Sequence, residues 1–339
     1  MADYDQAFYR KIADSARRSA HHIVPIVLGY VKPRSIIDIG CGTGSWLSVF
    51  EANGITDFLG VDGGFVPKDL LEIPSSRFVP FDLTRRFRFG RRFDLVISLE
   101  VAEHLPSNRA ASFVDSLVRL GPAVLFSAAV PGQGGTNHVN EQWPEYWSEL
   151  FARRHYLPVD CLRPQIWNNN DVAWWYAQNM ILFCEQEYLR SDKVLMGEFK
   201  RTKGFPLSLV HPRKLEEVHW NHKLESAVGQ LRKTIPADAY FILVDNGQAS
   251  EAFAHCGKLI PFPEHDGKFN GCPADDKTAI KEFERLRSAA QYVAIVHSAF
   301  WWLTFYADWY DHVRTGCKLL SKSESLLVYE IESANPRTV

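Results

Sequence analysis

Short apolar runs alternate with stretches of helical spacing from about residue 34 to residue 185. This alternation predicts a mostly parallel sheet with helices on both faces. Strands are expected at 35–39, at Phe58-Leu59-Gly60-Val61, at Arg77–Phe81, at Phe93–Ser98, at Ala123–Ala128, near Leu157–Leu162 and at Trp175–Cys184. Residues 186–235 carry only a loose helical pattern (Leu215, Val218, Leu224, Val228, Leu231) and are read as a helical connector. After Pro236 the α/β pattern returns: strands at Tyr240–Asp245, Tyr292–Val296 and Leu326–Ile331, with a helix capped by Asp275 or Asp276 and running through Ile280, Phe283 and Leu286. The expected fold class is α/β: a seven-stranded Rossmann-like sheet over 1–185, then a smaller α/β domain of unassigned role over 236–335. The N-terminus reads as an amphipathic helix carrying Asp3, Asp5, Arg10 and Lys11, without the apolar segment of a signal peptide.

The first strand runs directly into Ile36-Ile37-Asp38-Ile39-Gly40-Cys41-Gly42-Thr43-Gly44. Glycine allows a sharp turn with positive φ and lets a ligand touch the main chain, and the helix opening at Ser45-Trp46-Leu47 presents unpaired N–H groups. A pyrophosphate-binding loop wants G-x-G-x-x-G, whereas the spacing here is G-x-G-x-G. Asp38 would also repel a pyrophosphate and favours a cationic group such as a sulfonium amino acid. This segment closely resembles the first motif of class I S-adenosylmethionine methyltransferases. The resemblance covers roughly the first 185 residues and implies a seven-stranded fold with S-adenosylmethionine as donor. It implies donor contacts for Asp38, Gly40, Gly42, Gly44 and Leu99, ribose hydrogen bonds for Asp62 at the end of the second strand, and adenine contacts for Asp82 and Leu83 after the third. Taken singly, an aspartate at a strand end more often makes a turn or a cap.

Ligands of open parallel sheets lie at the carboxyl ends of the strands. After the fourth strand comes Leu99-Glu100-Val101-Ala102-Glu103-His104-Leu105-Pro106, and after the fifth Gly132–Glu141, which contains His138. Positions i, i+3 and i+4 of a helical turn share a face, so Glu100, Glu103 and His104 are expected to converge. Neighbouring strands lie about 4.8 Å apart, which brings His138 within reach. The E-x-x-E-H spacing resembles the metal-binding signature of two methyltransferase families, those acting on the terminal 2'-hydroxyl of small RNAs and the O-methyltransferases of ubiquinone biosynthesis. The resemblance implies Glu100, Glu103, His104 and His138 as ligands of a divalent metal, with the acceptor's adjacent oxygens chelated. Imidazole and carboxylate together suit Mn, Fe, Zn or Ni better than Mg. Deprotonating a hydroxyl of pKa near 15 at pH 7 costs on the order of 11 kcal/mol, and a bound cation offsets most of it. In the metal-free alternative the Glu–His pair caps a helix, and His138 or His104 serves as general base.

Net charge is -2, so no global basic field recruits nucleic acid or anionic membrane. Six cysteines lack C-x-x-C spacing, which points to free thiols and a cytoplasmic setting. No apolar run approaches the roughly 20 residues of a membrane span. Arg85, Arg86, Arg88, Arg91 and Arg92 read as a solvated loop rather than a phosphate clamp, and Trp143, Tyr146, Trp147, Leu150 and Phe151 as a core helix. The tract from Phe300 to Tyr310 reads as a domain interface or a glycan platform. The leading expectation is an O-methyltransferase acting on a hydroxyl of a small-molecule or carbohydrate acceptor. Its rivals are an RNA 2'-O-methyltransferase and a non-catalytic methyltransferase-fold binding subunit.

Overall fold

The computed structural model describes residues 6–332. Asp3 and Asp5 lie outside the described residues, as do the side chains of Arg10 and Lys11. Contacts divide the chain into two units, Met1–Lys214 and Leu215–Val339.

The first unit is built on seven strands, β1 (Ser35–Ile39), β2 (Asp57–Asp62), β3 (Phe78–Pro80), β4 (Leu95–Leu99), β5 (Ala123–Ser127), β6 (Tyr156–Val159) and β7 (Ile181–Glu185), in the order β3-β2-β1-β4-β5-β7-β6. Strands β1 to β5 pair in parallel, while β7 runs antiparallel to both β5 and β6. Successive side chains of a strand point to opposite faces, and both faces here are apolar. Ile36, Leu95 and Leu125 pack under α1 (Gln6–Val31) and α2 (Ser45–Ala52). Ile37, Val96 and Val124 pack under α3 (Ala110–Leu120) and α4 (Pro144–Ala152). The chain steps outward from β1 through β2 to β3, then crosses to β4 on the other side. The switch point therefore lies at the carboxyl ends of β1 and β4, where such sheets bind their ligands.

Two expectations are corrected. The seventh strand does not begin at Trp175, because Trp174–Asn179 forms a helix. Its aromatic residues have strand propensity, but the turn packs Tyr176 edge-on against Trp46 at a centroid distance of 5.2 Å and buries Ala177. The stretch read as a connector divides between the two cores. Asp192 caps the helix Lys193–Thr202 by accepting from the Val194 and Leu195 amides, and Leu189 and Leu195 are buried in the first unit's core. The helix Pro212–Thr234 carries Ala227 and Leu231 into a core of the second unit.

The second unit has strands β8 (Tyr240–Val244), β9 (Lys258–Pro261), β12 (Tyr292–Val296), β13 (Cys317–Lys322) and β14 (Leu326–Ile331), ordered β13-β14-β12-β8-β9. A two-stranded ribbon, β10 (Glu264–His265) with β11 (Lys268–Phe269), stands apart from that sheet. Strands β9, β12 and β8 are mutually parallel through β8. Trp302, Tyr306 and Trp309 are buried in this unit's own core, so these members of the aromatic tract are structural; Trp301 and Phe305 are exposed. All six cysteines are unpaired, five of them buried. Among the described residues no helix is long and apolar enough to cross a membrane.

Candidate active site

The turn after β1 is held by its glycines. Gly40, Gly42 and Gly44 have φ of 89°, 54° and 90°, a region that side chains rarely enter. At Gly40 a Cβ would lie 2.2 Å from Val101 Cγ2, so the loop after β1 and the loop after β4 meet through a missing side chain. At Gly42 nothing stands within 4 Å, leaving the main chain open to a ligand. Gly40→Ala is expected to cost about 2–4 kcal/mol through overpacking and left-handed strain. Thermal melting checks this, and Val101→Ala should restore only the packing share.

Asp62 closes the loop from β2, one oxygen accepting from the Gly42 amide and the other from the Gly63 amide, each at 2.6 Å. Burial raises its pKa. Asp38 is buried at the end of β1, and its Oδ2 has no hydrogen-bond partner among the described residues. Burial pushes its pKa well up, and the nearby Asp62 pushes it further. A buried and a half-buried carboxylate beside one open glycine turn make an electron-rich crevice that a cation would satisfy. Asp82 behaves differently. It is exposed, and Oδ1 accepts from the Thr84 amide at 3.0 Å and the Thr84 hydroxyl at 2.6 Å, the turn-forming use of an aspartate. Leu83 is half-buried and Leu99 buried.

Sequence reasoning missed Glu72. Its Oε1 accepts from the Thr43 hydroxyl at 3.0 Å and the Ser45 hydroxyl at 2.6 Å, and Arg17 holds Oε2 at 2.9 Å. The glycine turn and the start of α2 are thereby pinned from a loop thirty residues downstream. No local motif announces it.

The segment after β4 is a single 3-10 turn, Ala102–His104, and Glu100 stands before it with φ 55°. Helical convergence therefore fails for Glu100. Gln133 Nε2 donates to its Oε2 at 2.8 Å and Asn179 Nδ2 to its Oε1 at 3.2 Å. Glu103, His104 and His138 do converge: each offers a ligand atom within 4.8 Å of the others. The imidazoles meet edge to face at 4.9 Å. Glu103 is fully buried and neither of its oxygens has a well-formed hydrogen bond among the described residues; burial followed by the charge of Glu100 raises its pKa well above the usual range, against the weaker lowering pull of the Glu103 and Ala129 amides. His138 Nδ1 lies 2.9 Å from Glu141 Oε1, and Glu141 is itself held by the Gly132 and Gly134 amides. That contact fixes the ring and leaves Nε2 toward the cluster. His104 is open to solvent at its edge, yet surrounding protein and the neighbouring His138 lower its pKa. A buried carboxylate left unsatisfied beside two imidazoles is the donor set a divalent ion takes.

A buried polar chain backs this cluster. Asn179 Nδ2 donates to Gln133 Oε1 at 2.8 Å, Gln178 Nε2 to Asn179 Oδ1 at 3.0 Å, and the His211 amide to Gln178 Oε1 at 2.7 Å. Lys214 Nζ donates to the Gln133 carbonyl at 2.7 Å. The arginine loop is partly used up in the fold: Arg91 makes a two-pronged pair with Asp57, and Arg92 reaches Glu185 at 3.0 Å. Trp147, Leu150 and Phe151 are buried core residues of α4, while Trp143 is exposed.

Residues 11–170 match a family model described as a methyltransferase domain. Among solved structures, an O-methyltransferase family protein from Burkholderia thailandensis is 13% identical over 54% of this chain and 60% of its own, with TM-score 0.40. The chain thus spans less than two thirds of that protein's length. A sugar N-methyltransferase from Streptoalloteichus is 16% identical over 53% of this chain and 92% of its own, with TM-score 0.42. The methyltransferase domain of bacterial CtHen1 is 22% identical over 49% of this chain and 98% of its own, with TM-score 0.37. No curated protein matches significantly. The matched segment takes in the glycine turn and the strands β1 to β6 of the first unit's seven-stranded sheet, so the likeness to a methyltransferase domain falls on the part of the chain that builds this site.

Proposed function

We propose that the chain transfers the methyl group of S-adenosylmethionine to a hydroxyl oxygen of a small-molecule or sugar-like acceptor, assisted by a divalent ion at Glu103, His104 and His138. The observation that carries this reading is the Glu103 carboxylate, buried and unsatisfied within 4.8 Å of ligand atoms on two imidazoles. Asp38 receives the cationic amino-acid end of the donor, the open turn at Gly42 and the first amides of α2 lie along it, and Asp62 keeps lone pairs for the ribose hydroxyls. Leu83 and Leu99 supply an apolar wall for the base. The ion, when bound, supplies Lewis acidity toward the acceptor oxygen. Glu141 holds the His138 ring, Gln133 and Asn179 hold Glu100 behind the cluster, and the two loops keep the acceptor oxygen in line with the methyl group, which is worth most when the geometry is rigid. Mn, Fe, Zn or Ni fits this donor set better than Mg.

Calorimetry on the whole chain tests the parts separately. S-adenosylmethionine should bind without added ion, and Mn²⁺ should then give a second, stoichiometric heat. Absence of donor binding overturns the reading. Donor binding with no Mn²⁺ response removes the ion and leaves His138 as general base. An RNA acceptor has less support, since Arg91 and Arg92 of the arginine loop are paired within the fold.

A further inference from the structure

The second unit carries a groove of about 590 Å³ whose polar lining includes Glu264, His265, Asp266, Thr278, Glu282 and Arg285. It opens two residues beyond the end of β9, one of three parallel strands, and its far wall is one face of the helix Asp276–Arg287 that leads on to β12, through Thr278, Glu282 and Arg285. This is the carboxyl end of a parallel sheet, where α/β folds place their ligands, and the volume suits a small organic molecule.

The polar groups of the groove are fixed before any ligand arrives. Arg285 Nε donates to Glu282 Oε2 at 3.0 Å and Nη2 to Glu264 Oε2 at 2.9 Å, a second prong reaches Glu282 Oε1, and Nη2 also donates to the Glu264 carbonyl at 2.7 Å. The Gly267 amide holds Glu264 Oε1 at 2.5 Å. Hydrogen bonds from the Gly267 amide and from Arg285 lower the pKa of Glu264, and those from Arg285 that of Glu282, so both stay ionised acceptors. A carboxylate oxygen has the capacity to accept more than one hydrogen bond, so lone pairs remain for a ligand.

Charge decides the ligand class. Three carboxylates line the groove, Glu264, Asp266 and Glu282, against the cation of Arg285 and the imidazole of His265, so the excess of acids repels an anion. A cation would have to compete with Arg285, which already neutralises part of that charge. What remains is a neutral molecule rich in hydroxyl donors, able to bond the carboxylates, the exposed Asn270 amide and the exposed Thr278 hydroxyl. We propose that this groove binds a neutral carbohydrate unit. The site stands independently of the methyl-transfer reading.

Saturation-transfer NMR on the whole chain tests it, with a mixture of the neutral sugars glucose, galactose, mannose and rhamnose against glucose 1-phosphate as anionic control. At least one neutral sugar should receive saturation and the phosphate ester should not. Glu282→Gln should weaken the signal by about tenfold or more, the loss of one charge-assisted hydrogen bond. Ala274→Trp, an exposed position on the rim, should block the groove without disturbing the fold, as circular dichroism would show. The proposal is overturned if no neutral sugar is saturated, if the phosphate ester binds more strongly, or if the folded Ala274→Trp chain binds as before.

Discussion

Asp38→Asn should weaken S-adenosylmethionine binding roughly 100-fold, about 3 kcal/mol, while leaving the free chain as stable as before or more so. The two effects share a cause. Asp38 is buried beside Asp62 with an unpartnered oxygen, so the fold holds a carboxyl group in a place that penalises its charge. Its folded pKa is raised, so between the ordinary aspartate value of about 3.9 and that raised value the folded state holds a proton the unfolded chain has released. Stability contributed by this group therefore falls as pH rises through that window. Asparagine removes the slope, and each kcal/mol gained would lift the melting transition of the first unit by about 2–4 °C. Donor binding runs the other way. A cation beside Asp38 favours the ionised form, so binding should release a proton and affinity should rise with pH across the same window. Calorimetry in buffers of different ionisation enthalpy measures both. Unchanged donor affinity in the asparagine variant would remove Asp38 from the donor site.

Glu103→Gln should abolish the Mn²⁺ heat and lower turnover on the order of 10³-fold, with donor affinity unchanged. A lone general base supplies roughly 10²- to 10⁴-fold, well short of what an ion offers against a hydroxyl pKa near 15. The fold should tolerate the change, because a buried charge without a partner is replaced by a neutral group of the same shape. Gly135→Ala gives an independent version of the experiment. Its Cβ would lie 2.3 Å from His138 Nε2, so the imidazole must move although no ligand has been altered. Both variants should lose the ion and keep the donor. An ion bound equally well by both would place it elsewhere.

The parallel half of the first sheet was legible because its signals are local: apolar runs bounded by glycine and aspartate put β1, β2, β4 and β5 within two residues of their observed ends. The same holds for β8, β12 and β14. Trp174–Asn179 misled because aromatic residues suit strands, and only the contact of Tyr176 with Trp46 reveals the helix. β9 and β13 escaped notice, one ending at a proline and the other mostly exposed with lysines at its edge. In the site, helical spacing put Glu100, Glu103 and His104 on one face, whereas the structure groups Glu103 and His104 with His138, and Glu100 has left-handed φ just before their turn. Glu72, Gln133 and Asn179 were invisible for another reason. Their roles exist only once segments 27 to 79 residues apart have come together.

The residues that steady Glu100 mark how long a self-sufficient fragment must be. A piece trimmed to the family-matched segment would stop at residue 170, keeping the glycine turn but discarding β7, Gln178 and Asn179. Glu100 would then be left half-clasped, with β5 exposed along one edge. The first compact unit runs onward to Lys214, whose ammonium fastens the Gln133 carbonyl like the last stitch of a seam.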